Sequence, residues 1–298
     1  MNLVALILAL IVERLTTRWL HLREAHWFDG YFEWSLGRVA KLRGARVVAI
    51  ALVFTLLPVL PVAAVAVIFS EWLSGFAYVG FAMFVLIFSF GPRDLKEETD
   101  EYLAALARGD NERAQRAARA LMEHDARQRM HAAPNTIEDA IFVQANNRVF
   151  GVAFWFLVAG PAGAWLFRVT DLMRRHAVME HRDLFEREAR GIDFVRAVQA
   201  IHGVLAWLPA RLLAIGFALA GSFDDAFASW RAVVRDRLTG FFERNDEVLM
   251  HVGRGALGAI DSHRGSDHRC RAAVQLVWRA ALIWLVGVSL LVLFGRIV

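Results

Sequence analysis

The chain predicts an all-helical, polytopic membrane protein with about five membrane-embedded segments and a soluble helical insertion. Three observations lead there. Hydrophobic residues fill 57% of the 298 positions, against roughly 45–50% in soluble domains. The excess is gathered into blocks of spanning length, not spread as one large core. No stretch of useful length alternates with period two, as half-buried strands would.

Residues 1–46 form an apolar helix and an interfacial segment. The run 2–12 is followed by Glu13 and Arg14. It lacks the basic start and the small-residue cleavage site of a secretory signal, so it reads as an uncleaved helix continuing through Leu15, Trp19 and Leu22. Trp27, Phe28, Tyr31, Phe32 and Trp34 then alternate with charges, a pattern suited to the headgroup level. Residues 47–90 predict a transmembrane hairpin of Val47–Phe69 and Leu73–Phe90, kinked at Pro58 and Pro61. Arg38, Lys41, Arg43 and Arg46 precede it and Arg93 follows it. The positive-inside rule therefore places both ends in the cytoplasm.

Residues 91–148 predict a cytoplasmic helical insertion. Leu95, Tyr102, Leu103 and Leu106 have helical spacing. Gly109 suits a helix C-terminus and Asp110 an N-cap. A second helix is expected from Glu112 to about Met130, and another amphipathic start after Pro134. This insertion is where a cytoplasmic protein partner would dock.

Residues 149–221 hold two apolar segments with breakers inside. Val149–Thr170 carries Gly160-Pro161-Ala162-Gly163 at its centre, and Gly203–Gly221 carries Pro209. Proline removes a backbone donor and clashes with the preceding turn. Lipid cannot satisfy a broken backbone, so such a break faces protein or a water-filled cavity. Both segments are therefore expected to be broken. The first is either a re-entrant pair of half-length helices or a kinked complete span. The charged, sign-balanced stretch Asp171–Ile201 between them is expected to be solvated. Residues 222–273 predict a soluble helical segment, with a helix from Asp224 to about Val252 and a flexible Gly/Ser/His stretch over 253–265. Residues 274–298 form the last span, where Arg279 snorkels to the interface.

Several functions find no support. Net charge is +4, from 34 basic and 30 acidic residues. The arginines are evenly spread and not interleaved with aromatics on a soluble domain, which argues against nucleic-acid binding. The single cysteine, Cys270, excludes an intramolecular disulfide. His263, His268 and Cys270 lack the spacing of a zinc site. Neither phosphate-binding glycine motif is present.

Four stretches carry a family resemblance: ALILALIVERL, GPRDLKEETDEYLAAL, AGPAGAWLFR and LAWLPARLLAIGFALAG. Together they resemble the AmpE/CobD/CbiB family over nearly the whole chain. The Trp-x-Pro-Ala-Arg and Gly-Pro-Ala-Gly runs are the specific part. The resemblance implies a multi-pass protein of the bacterial inner membrane. In its AmpE branch it implies regulation of beta-lactamase induction linked to cell-wall recycling. In its CobD/CbiB branch it implies a nucleotide-dependent membrane enzyme, the adenosylcobinamide-phosphate synthase. ATP or Mg²⁺ enter as possible cofactors only through this likeness.

The enzyme branch has a Glu-x-x-x-Glu-Asn-Thr-x-Asp pattern before the first break. The matching positions here are Asp139, Val143, Gln144, Ala145 and Asn147. After the break Arg168 stays, but the family's Asn-Thr-x-Asp becomes Asp171, Leu172, Met173 and Arg174. Its two aspartates before Trp-x-Pro-Ala-Arg become His202 and Gly203. Mg²⁺ beside a nucleotide needs one or two carboxylates, and most are replaced, so the sequence leans away from an enzyme. The candidate site is an arginine-lined membrane pocket for an anionic small molecule. Its residues are Arg168, Arg211, Asp171, Gln144, Asn147 and Asp139. An arginine at membrane depth costs about 2.5–3.5 kcal/mol unless paired or facing a cavity. Arg168 lies near its segment end and can instead snorkel, whereas Arg211 is deeper.

Overall fold

A computed structural model describes residues 5–9, 27–39, 44–72, 75–91, 95–122, 136–186, 192–235, 244–262 and 266–295. Among them no strand occurs. Helix α1 is Trp27–Val39, α2 Ala45–Leu56, α3 Val59–Trp72 and α4 Gly75–Ser89. Next come α5 Leu95–Ala107, α6 Asn111–Met122 and α7 Ile137–Ala145, the last continued by a π-helical turn, Asn146–Phe150. Then follow α8 Gly151–Glu186, α9 Ile192–Ala220, α10 Phe223–Arg235, α11 Arg244–Ser262 and α12 Ser266–Leu293. The expected extensions of the first helix to Leu22 and of α6 to Met130 lie outside the described residues.

Two compact units share the chain. One comprises Met1–Pro92 and Gly151–Leu205, the other Arg93–Phe150 and Ala206–Val298. In the first, α3 and α4 pack on α8, and Phe28, Phe32, Met173 and Phe194 are buried in one core. Phe28 and Phe32 are therefore packed inside protein. In the second, α7 lies against α11 and α12, with Ile141, Phe142, Phe217 and Leu249 at its centre.

Among the described residues three helices reach spanning length and apolarity, Ile137–His176, Asp193–Ala220 and Asp267–Leu293, the first of them folded back at Gly160. Ala45–Leu56 with Val59–Phe69, bent by 44°, adds a fourth. The expected five is not reached among the described residues. The apolar helix α4 has 15 residues, about 22 Å, too short for a core of about 30 Å. Large apolar side chains stay exposed at helical spacing, among them Leu282, Val286 and Leu290 on α12. Soluble monomers rarely show such contiguous faces; lipid is their natural solvent. The chain is an integral membrane protein.

The break in α8 is a reversal. Ala159 and Gly160 leave helical geometry, with Gly160 at φ 63°, ψ −154°, a region that essentially only glycine tolerates. A Cβ added to Gly163 would stand 2.3 Å from the Trp155 carbonyl oxygen. In a straight helix eight residues would separate the two by about 12 Å. A Cβ on Gly151 would stand 2.2 Å from the Phe167 ring, although sixteen residues of straight helix rise about 24 Å. The arms before and after the break thus run antiparallel and in contact, with Val158 exposed at the tip. This is a chain reversal between two antiparallel arms, the arrangement expected of a re-entrant pair, and not one kinked helix. Pro161 opens the second arm, where a missing N–H leaves no helical bond unmade.

Pro209 does not break its helix: Ile192–Ala220 is continuous, contrary to expectation. The reason lies four residues back. The carbonyl that Pro209 cannot serve is that of Leu205, and it accepts the Trp155 indole N–H at 3.0 Å. Pro58 shares the substitute donor but not the straight path: the Phe54 carbonyl accepts the Tyr31 hydroxyl at 2.6 Å, while the chain bends by 44° between Leu56 and Val59. The freed backbone group is re-satisfied by a side chain, as apolar surroundings demand.

Three further expectations are revised. Asp171 and its neighbours are not solvated: α8 runs on past them, and Asp171, Leu172 and Met173 are buried. The helix expected over Asp224–Val252 is two, α10 and α11, with 236–243 outside the described residues. The stretch from Gly253 to Ser262 is helical, with Gly258 at positive φ. The turn expected in the insertion is present. Gly109 has φ 70°, and the Asp110 carboxylate accepts the Arg113 N–H at 3.0 Å.

Candidate functional site

Helix α7 carries the first group of candidate residues. Thr136 caps it, its hydroxyl accepting the Asp139 N–H at 3.2 Å, and all nine of its residues are buried. A polar helix face inside protein needs counter-charges, and arginines supply them. Arg254 Nε lies 3.1 Å from Asp139 and Arg269 Nε 3.1 Å from Glu138. Arg148 donates to Gln144 at 3.0 Å and bridges to Glu98 of α5 at 2.7 Å. Asn147 accepts from Asn146 at 3.3 Å, on the π-helical turn. Single-turn π-bulges recur at functional sites. The Asp139 oxygens and Asn146 Oδ1 accept no well-formed hydrogen bond among the described residues. Gly253 lets α11 approach α7 closely, since a Cβ there would meet the Phe142 ring at 2.5 Å.

The second group lies on α8. Asp171 is fully buried and meets three guanidiniums: Arg168 at 3.0 Å, Arg174 at 2.9 Å and Arg175 at 2.8 Å. All three arginine side chains are themselves largely buried. The spacing explains the convergence, for positions three and four apart share a helix face. Beside it, the Thr170 hydroxyl and His202 Nδ1 lie 3.3 Å apart, and His202 packs on Phe167. Arg168 does not snorkel; it is buried and paired.

Arg211 makes a third, separate group. It donates to the Asn245 side chain and to the Trp207 carbonyl, and its guanidinium lies 4.9 Å from the centre of the Trp207 ring. Arg168 and Arg211 belong to different compact units.

Sequence reasoning missed Glu138, Arg148, Arg254, Arg269 and Asn146, and it did not recognise Arg174 and Arg175 as partners of Asp171. The last two were legible: Arg168, Asp171, Arg174 and Arg175 follow i, i+3 and i+4 steps once α8 is continued past Thr170. Arg254 and Arg269 were not, because they come from helices a hundred residues further on.

Comparison with known proteins finds both branches of the resemblance. The family model described as "Regulatory signalling modulator protein AmpE" matches residues 1–298. The chain belongs to the AmpE family. AmpE of Shigella flexneri is 25% identical over 313 aligned positions, covering 100% of both chains. The family's kinship with CobD is visible too. The cobalamin biosynthesis protein CobD of Stutzerimonas stutzeri is 28% identical over 231 residues, 71% of each chain. CobD of Chromobacterium violaceum is 29% identical over 176 residues, 58% of this chain and 53% of its own. No solved structure matches. The chain is thus a membrane regulatory protein of the AmpE kind or a CobD-like enzyme.

Proposed function

We propose that the chain is a regulatory protein of the bacterial inner membrane that senses an anionic small molecule and acts in beta-lactamase induction and cell-wall recycling. One observation carries this reading: three largely buried guanidiniums converge on the single carboxylate of Asp171. Guanidiniums bind carboxylate and phosphate bidentately, and Arg168, Arg174 and Arg175 are the groups that would hold the anion. Asp139, Gln144 and Asn147, and separately Arg211, remain candidate ligand contacts within their own unit. The insertion 91–148 faces the cytoplasm in this reading and offers α5 and α6 to a protein partner.

The same geometry weighs against an Mg²⁺-nucleotide reaction. The metal needs carboxylate oxygens, yet Glu98, Glu138, Asp139 and Asp171 each face an arginine. A metal would have to displace that partner. The alternative is a CobD-like nucleotide-dependent enzyme, favoured by the 28% identity to CobD over 71% of both chains.

The purified protein in detergent separates the two. Inorganic phosphate, ADP and ATP with Mg²⁺ are added to the native chain and to R174Q/R175Q, with melting temperature and phosphate release as readouts. A regulator shows an anion-dependent rise in Tm, lost in the variant, without phosphate release. Phosphate release from ATP by the native chain overturns this reading in favour of the enzyme. No rise with any anion removes the pocket. In cells, R174Q/R175Q should fail to restore beta-lactamase induction to a strain lacking the gene.

A further inference from the structure

Helix α10 follows α9 after only Gly221 and Ser222, and it has three distinct faces. One packs on α11. Ala226 and Val233 are buried, the Ser222 N–H donates to the Ala256 carbonyl at 2.8 Å, and Gly255 admits Ser229 and Ala226 so closely that a Cβ there would lie 2.6 Å from the Ser229 hydroxyl. The second face is apolar and open: Phe223 is 54%, Phe227 47% and Val234 56% exposed. Their spacing of four and seven, with half-buried Trp230 between, puts them on one stripe. The third face is polar, with Asp224, Arg231 and Arg235 exposed.

What covers the stripe is indicated by its surroundings. Ile215 and Leu219 on α9, an apolar helix of spanning length, are exposed. Phe223 follows this exposed apolar surface directly, across the Gly221-Ser222 turn, so the open stripe begins where that surface ends. Phe223 and Phe227 stack, with ring centres 6.0 Å apart, and Arg231 lies over the Phe227 ring at 5.0 Å. Aromatic side chains buried beside arginines that reach lipid phosphates make the pattern of a helix lying in the membrane interface. With Asp224, Asp225, Arg231 and Arg235 along its length, α10 cannot cross the hydrocarbon core. We infer that α10 is an interfacial anchor: Phe223, Phe227 and Val234 enter the acyl-chain boundary, and Arg231 and Arg235 hold the phosphates of anionic lipid.

This assigns a lipid surface to part of a segment expected to be soluble, and it does not depend on the anion site. The test is spin-label depth in nanodiscs of phosphatidylethanolamine and phosphatidylglycerol. The full chain with Cys270→Ala carries one label at a time, at Phe227→Cys, Val234→Cys, Asp224→Cys or Ala228→Cys, all exposed positions. Labels at 227 and 234 should collide several-fold more with oxygen than with a water-soluble nickel chelate, and labels at 224 and 228 the reverse. Equal nickel access at all four positions overturns the inference. So does protection of 227 and 234 from both reagents, which would mean that protein, including a second copy, covers the stripe. Unchanged gel-filtration profiles of the four labelled variants show that the readout comes from folded protein. If Phe227→Cys alone misfolds, Val234→Cys decides.

Discussion

Two prolines sit inside apolar helices and have opposite consequences. At Pro161 the chain reverses; at Pro209 the helix runs straight on. The comparison shows that proline by itself does not set the path. Before Pro161 stands Gly160, whose positive φ turns the chain, while Gly151 and Gly163 let the two arms touch. At Pro209 there is no such glycine, and the carbonyl that lost its donor has found another in Trp155. A reversal needs backbone freedom and room for close approach. A substitute donor accompanies the continuous helix at Pro209, but it does not guarantee one, for the Phe54 carbonyl ahead of Pro58 has a donor too and the chain still bends by 44° there.

The largest expected effect comes from filling the space between the arms. Gly163→Leu places a side chain against the Trp155 backbone, which cannot yield as a flexible chain end would. It should cost about 3 kcal/mol or more, the upper end of overpacking. Denaturant unfolding in mixed micelles measures it, and a variant as stable as the native chain would mean the arms are not in contact. Next is Gly160→Ala, expected to cost about 1–3 kcal/mol because alanine is strained at that φ. A neutral result would deny the turn its positive φ.

Trp155→Phe should cost about 1 kcal/mol, by leaving the Leu205 carbonyl without its donor. In a Pro209→Ala background the restored backbone N–H serves that carbonyl, so the same substitution should cost only a few tenths. The coupling of this double-mutant cycle isolates the substitution of donors, and simple additivity would refute it. Tyr31→Phe with Pro58→Ala repeats the cycle independently. The smallest effect belongs to Pro209→Ala alone, within about 0.5 kcal/mol of native. A large destabilisation there would show that proline shapes α9 after all.

Much of the fold was readable from local pattern. The helical class, the last span, the insertion turn at Gly109-Asp110 and the break before Pro161 all follow from runs, caps and glycines. The candidate site was readable in part. Arg168 and Asp171 were singled out, and the register of α8 contains their partners. The Asp139–Arg254 and Glu138–Arg269 pairs were not, since pairing between distant helices leaves no trace in local spacing. The fully buried state of α7 was hidden for the same reason. Its residues read as an amphipathic start with Asp139 in a candidate pocket, and the arginines that cover its charges come from other helices.

By itself the sequence determined where apolar surface must leave water and which positions can turn sharply. These depend on transfer energy and backbone sterics, which act over a few residues. Only the tertiary structure decided that Pro209 is harmless and Pro161 is not, because the difference lies in a donor fifty-four residues before Pro209 and in the space left beside two glycines. It also decided that Asp171 is buried among arginines instead of lying in a solvated loop. A charge pattern fixes neither burial nor partner; both depend on what packs against the helix that carries it.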